Sequence, residues 1–195
     1  MDLSARVKEN SDLHKENSDL HSDLYNSILN CTRCPLHETV QNKVISKGSD
    51  SPSVLFIGEA PGKNEDETGV PFCGRAGKLL DSLISDMNLS YEQAAVINAV
   101  KCRPPKNRTP NINEIESCRP FLEAQINLLN PKIIILLGNT AEKAYGITLD
   151  WGVPFFEKET ERFFLKFYHP AALIYRRERI DEQKRFIEKN KHLWE

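Results

Sequence analysis

Several things are missing from this sequence, and each absence excludes a class of protein. No apolar run approaches the ~18–20 residues of a membrane span. The opening MDLSARVKENSDLHK has no apolar core of the kind a secretory leader needs, so the sequence reads as cytoplasmic. In that compartment disulfides are rare, and the cysteines need another account. Neither the Walker spacing nor GxGxxG occurs, which removes two familiar phosphate loops. Strong charge of either sign is lacking too, with a formal net charge of −2. Taken globally, that disfavours a polyanionic partner.

The distribution of charge points the other way. Residues 1–30 carry six acids and three bases, so the remainder of the chain is net +1. Within it Lys101, Arg103, Lys106 and Arg108 form an acid-free basic run, and Arg176, Arg177, Arg179, Lys184 and Arg185 form a second cluster. Local patches outweigh net charge where a phosphate backbone is the partner. At 195 residues the chain is long enough for one substantial domain.

A heptad, KENSDLH, runs from Lys8 to His14 and repeats from Lys15 to His21. One leucine per heptad over two heptads is too little for a coiled-coil seam. We therefore read residues 1–23 as a polar extension, possible disorder included, and residues 24–195 as the globular domain.

Beyond Leu24 the pattern alternates strand and helix. The run from Val54 to Gly58 is continuously apolar, as expected of a strand buried on both faces. Leu79, Leu80, Leu83, Ile84 and Met87 follow at helical spacing. Further strands are expected over Ala95–Val100, Ile133–Leu137 and Phe163–Tyr168. Asn113 with Glu116 predicts the N-terminal cap of a helix running to Asn130, and Asn139 or Thr140 the cap of a short helix ending at Gly146. A charged helix from Asp181 to His192 is expected to close the chain. Repeated βα units imply a parallel sheet covered on both faces. Ligands then bind beyond the carboxyl ends of the strands.

Four of the five cysteines have metal-ligand character: Cys31 and Cys34 in CTRCP, Cys102 after the second strand, and Cys118 early in the next helix. Such a set suits zinc or an iron–sulfur cluster, and spacing does not choose between them. Cys73 reads as a small buried apolar residue. In GEAPGKNEDETGVPFCGRAGKLL, Gly58, Gly62, Gly69 and Gly74 with Pro61 and Pro71 build a loop that brings backbone N–H groups close to a ligand. Phe72 offers a platform for a flat ring. Asn98 is an amide inside an apolar strand, where lack of partners would cost roughly 1–3 kcal/mol. His169, at the end of the fourth strand, is placed to hydrogen-bond a developing anion. Together these suit a planar polar heterocycle, and beside basic runs a nucleobase.

GEAPGKNEDETGVPFCGRAG, NAVKCRPPKNR and HPAALI, in this order with this cysteine arrangement, closely resemble the family 4 uracil-DNA glycosylases. The likeness spans Leu24 to the C-terminus. It implies an α/β fold, the three-layer α/β/α sandwich of that superfamily with a four-stranded parallel sheet. It implies a structural [4Fe–4S] cluster on Cys31, Cys34, Cys102 and Cys118, and a prokaryotic, nucleoid-associated setting. Glu59, Ala60 and Pro61 match the segment that contacts uracil and the reaction centre. Phe72 matches the stacking aromatic, Asn98 the edge-reading amide, and His169 the histidine on O2. Glu59, Asn98 and His169 would be the catalytic set. Lys101, Arg103, Lys106, Arg108, Arg176 and Arg177 would meet phosphates, with Leu173 or a neighbour wedging into the duplex.

The resemblance also carries a departure. The best-known uracil glycosylases place an Asp in the first motif, where GEAPG has Glu59, so Glu65 and Asp66 are also considered for water activation. The basic, histidine-containing insertion of the related covalent uracil binders does not occur between GRAG and NAVKC. The implied partner is uracil-containing DNA, single- or double-stranded, met by a monomer. Two readings compete with the glycosylase: an iron–sulfur protein that binds uracil or DNA without turnover, and a zinc-stabilised nucleotide-binding module.

Overall fold

The computed structural model describes residues 19–195. The heptad repeat therefore lies largely outside the described residues. Residues 19–29 are helical (α1), and this helix is anchored to the domain by Ile28, which is fully buried, and by Tyr25, whose hydroxyl lies 2.9 Å from Ser46 Oγ. The elements that follow are β1 (Lys47–Gly48), β2 (Val54–Gly58), α2 (Lys63–Thr68), α3 (Arg75–Asp86), β3 (Ala94–Asn98), α4 (Ile112–Leu129), β4 (Ile133–Leu137), α5 (Asn139–Tyr145), β5 (Phe155–Glu157), β6 (Arg162–Phe167), α6 (Pro170–Tyr175) and α7 (Glu178–Asn190).

The sheet has six strands in the order β1-β3-β2-β4-β6-β5. Four of them, β3, β2, β4 and β6, are parallel and form the centre. The expected four-stranded parallel sheet is thus corrected to a mixed sheet, because β1 and β5 add antiparallel edges. Those edges are two and three residues long, too short to show a period of two in sequence.

Alternate residues of each central strand enter opposite cores, as the pleat requires. Leu55, Ile57, Ile97, Ile134 and Leu136 pack with Ile115, Leu122 and Ile126 of α4 and with α5. Val54, Phe56, Val96, Ile135 and Phe167 pack with Leu80, Leu83 and Ile84 of α3, Leu173 of α6 and Ile187 of α7. Helices therefore cover both faces, giving the expected sandwich. β2 lies between β3 and β4, so the chain order reverses there, where open α/β sheets hold their ligands.

Local details correct three readings. The cap of α4 is Asn111 with Glu114, a reciprocal capping box, and not Asn113 with Glu116. Both pairs have the same spacing. The choice goes to Glu114 because its carboxylate also holds Arg108 in a two-pronged ion pair of 2.6 and 2.8 Å. The cap of α5 is Gly138 rather than Asn139 or Thr140. Cys73 is half-buried, not buried, with its sulfur 3.2 Å from Thr68 Oγ1.

Candidate active site and cysteine cage

The carboxyl ends of β2, β3, β4 and β6 supply the site. A cleft of about 220 Å³ is lined by Glu59, Ala60 and Pro61 after β2, Phe72 from the glycine-rich loop, Asn98 at the end of β3, and His169 after β6. All six residues expected at the heterocycle thus lie around one cleft. Gly62, Glu65, Ala76, Pro104, Asn107, Arg108 and Ala171 complete its wall.

Phe72 sits at φ 52°, a left-handed backbone that costs a bulky residue of order 1–3 kcal/mol and is tolerated where the surroundings impose it. Two glycines make room for it here. A Cβ on Gly77 would lie 1.6 Å from the Phe72 carbonyl oxygen, and one on Gly58 would lie 2.6 Å from Phe72 Cζ. The ring stands 5.7 Å from that of His169, tilted by 35°.

Asn98 is 2% exposed, and its Oδ1 is buried without a hydrogen-bond partner among the described residues. An acceptor so placed is costly unless a ligand donor reaches it. His169 is the N-cap of α6, and its Nδ1 accepts the Ala171 N–H at 3.2 Å. That bond assigns the ring proton to Nε2. Burial pushes the imidazole pKa down to about 4, with the Glu65 carboxylate opposing, so the ring is a neutral donor at ordinary pH.

The three acids considered for water activation separate by what holds them. Glu59 accepts the Thr140 hydroxyl at 2.5 Å and faces the cleft. Glu65 accepts the backbone N–H of Gly62 through one oxygen and that of Gly74 through the other, both at 3.1 Å. Asp66 is buried, accepts the Gln41 and Asn42 N–H groups at 2.9 and 3.2 Å, and lies 4.0 Å from Arg103. Glu65 thus staples the loop and Asp66 staples the preceding segment, while Glu59 takes its hydrogen bond from a side chain, Thr140, at the cleft wall. Sequence reasoning missed the Thr140 contact, since nothing links residues 81 apart in sequence except the fold.

Two expectations about DNA contacts change. Lys101 is 1% exposed and donates to the main-chain carbonyl of Asn98, so it is unavailable to phosphate. Leu173 is fully buried in the core beneath α6 and does not project as a wedge. Its neighbour Tyr175 is 84% exposed, four residues beyond Ala171 in the cleft wall and hence on the same helix face. Arg176, Arg177, Lys106 and Arg108 are exposed; Arg103 is half-buried and bonds Asn107 Oδ1 at 2.6 Å.

A second cavity is lined by all four cysteines, Cys31, Cys34, Cys102 and Cys118, with Arg33, His37, Lys43 and Lys101. All are free thiols. Burial first, then mutual repulsion with Cys118, Cys34 and Cys31, raises the Cys102 pKa to about 12, and Cys34 and Cys118 are raised chiefly by burial. Among the described residues no group of three or more His, Cys, Asp or Glu side chains is arranged to hold a single metal ion.

A cleft at the strand ends with an aromatic face, an amide edge and a neutral imidazole defines a base-binding site of the DNA glycosylase class. Residues 45–194 match the uracil DNA glycosylase superfamily. The type-4 uracil-DNA glycosylase of Thermotoga maritima is 39% identical over 169 residues, covering 80% of this chain and 83% of that protein. That of Archaeoglobus fulgidus is 36% identical, covering 79% and 83%, and that of Pyrobaculum aerophilum 46% identical over 62% of each. The chain belongs to the uracil DNA glycosylase superfamily, whose enzymes excise uracil in DNA repair, and within it to the type-4 uracil-DNA glycosylases.

Proposed function

We propose that the protein hydrolyses the N-glycosidic bond of deoxyuridine flipped out of single- or double-stranded DNA, releasing uracil and leaving an abasic site. The observation that carries this reading is the unpartnered Oδ1 of Asn98 in the cleft wall. It is an acceptor for uracil N3–H, with the amide NH₂ left for O4. Cytosine presents the opposite pattern and would leave the buried amide unpaired.

Phe72 supports the ring face. As the C1′–N1 bond breaks, both electrons go to uracil, and the Nε2–H of His169 meets the charge growing on O2. Glu59, oriented by Thr140, faces the positive sugar and positions the water whose oxygen joins C1′. Extrusion costs a few kcal/mol, least at a mispaired base. Tyr175, rather than Leu173, fills the space the base leaves, while Arg103, Lys106, Arg108, Arg176 and Arg177 contact phosphates. The enzyme works as a monomer, in prokaryotic cytoplasm on nucleoid DNA.

Cys31, Cys34, Cys102 and Cys118 would hold a [4Fe–4S] cluster. The donor set fits, being four free thiols around one cavity. In a cluster each thiolate binds its own iron, so no convergence on a single ion is required; a zinc site does require it. When bound, the cluster would tie the segment after α1, the segment after β3 and α4 together, a structural role.

The test is incubation with a uracil-containing oligonucleotide followed by alkali, with iron measured on the same sample. A strand cut at uracil is expected. Binding without a cut would favour the reading without turnover, and a colourless protein with stoichiometric zinc would sink the cluster.

A further inference from the structure

Lys101 has no counter-charge of the ordinary kind. It is among the largest fully buried side chains, and no carboxylate pairs with it among the described residues. Burying an ammonium without a compensating charge is strongly unfavourable. Its hydrogen-bond acceptor among the described residues is the main-chain carbonyl of Asn98. On its other side it lines the cysteine cavity together with Cys118, and its own backbone N–H is directed at the Cys118 sulfur. The cage is therefore the available source of negative charge, and four thiolates around an iron–sulfur core form a net anion.

The geometry runs from the cage to the substrate cleft through a single short segment. Residues 98–102 carry Asn98 at one end and Cys102 at the other. Between them the N–H groups of Ala99 and Val100 bond the carbonyls of Gly58 and Glu59 at 2.9 and 3.1 Å. The Lys101 carbonyl accepts the Val44 N–H at 2.9 Å, which fixes the strut from the side. A shift of the ammonium would therefore be felt by the backbone of Asn98 and of Glu59 together.

We propose that Lys101 is a positioning residue that couples the cysteine cage to the uracil-reading amide. The cage supplies the counter-charge, the ammonium holds the Asn98 main chain, and occupancy of the cage sets how well uracil is distinguished from other bases. The proposal rests on the cluster reading above. Loss of the cluster then disarms base recognition while the fold and the DNA-binding surface persist.

The test compares iron-loaded wild type, wild type stripped of iron by oxidation and chelation, and Lys101→Met, which keeps length and removes charge. The probe is a duplex carrying a non-cleavable 2′-fluoro-deoxyuridine, measured against the same duplex with thymidine in its place. Iron content and circular dichroism are recorded for each sample. The expected result is a preference for uracil about tenfold weaker in both altered proteins (1.4 kcal/mol), with affinity for the thymidine duplex unchanged. Iron-loaded Lys101→Met with the wild-type preference overturns the proposal. The stripped wild type tests it without any substitution: if it keeps its circular dichroism and its uracil preference, the coupling is refuted. Wild type that never carries iron sinks the cluster reading instead.

Discussion

Gly58→Ala tests the cleft with a single methyl group. Gly58 ends β2, and its hydrogen faces the two residues that would hold the uracil ring. A Cβ there would lie 2.5 Å from Asn98 Oδ1 and 2.6 and 2.7 Å from Phe72 Cζ and Cε2, all inside van der Waals contact. Both side chains are buried, so neither retreats freely. Overpacking of this kind costs about 1–3 kcal/mol. For a chain of this size each kcal/mol lowers Tm by roughly 2–4 °C, so a fall of about 2–12 °C is expected. Displacing the amide and the ring removes about 2–3 kcal/mol of interaction with the reacting base, or about 30–150-fold in kcat/KM. The assay is cleavage of a uracil oligonucleotide, with affinity for uracil-free DNA as the second reading, expected unchanged. Gly146→Ala is the control. It lies at the left-handed C-cap of α5 (φ +90°), away from the cleft, with Arg119 Nη1 3.6 Å from the added carbon. It should cost about 1 kcal/mol of stability through backbone strain and leave kcat/KM intact. Wild-type cleavage by Gly58→Ala, or an equal loss in Gly146→Ala, would refute the placement of Asn98 and Phe72.

Two further outcomes follow from the same geometry. His169 is depressed to about 4 by burial, so the acid limb of kcat/KM should fall near pH 4 rather than about 6.5, the ordinary imidazole value. The linked stability has a definite sign: the unfolded chain takes up the proton first, so this contribution is present above about pH 6.5 and is lost as pH falls through about 4. His169→Ala should slow cleavage by about 10²–10³-fold and weaken DNA binding less; the reverse would mean its role is misassigned. Tyr175→Ala should lose about tenfold on duplex substrate and little on single strands, which have no stack to refill, while Tyr175→Phe should behave as wild type. Equal losses on both substrates would remove Tyr175 from the wedge.

Much of the molecule is legible in the order of its residues. Apolar runs marked the four central strands, unbroken in β2 and β4 and carrying Asn98 in β3 and Lys166 in β6, since a strand covered on both faces needs few polar residues. Asn98 was conspicuous as an amide within such a run, and Phe72 and His169 as ring-bearing residues where strands give way to loops. The spacing of Cys31, Cys34, Cys102 and Cys118 announced a shared cavity. The edge strands were not legible, being too short for any period. Nor was the choice between two equally spaced capping pairs, which Arg108 decided through space.

The sequence by itself determined which elements form and which chemistries are available, because apolar runs, turn residues and ligand types are local properties. Burial of a single side chain is not local; it depends on what other elements bring against it. Only the tertiary structure could turn Lys101 from a phosphate contact into a buried strut, sink Leu173 into the core and leave Tyr175 outside. Only it could occupy Glu65 and Asp66 with backbone N–H groups while Thr140, from across the sheet, aims Glu59 at the cleft.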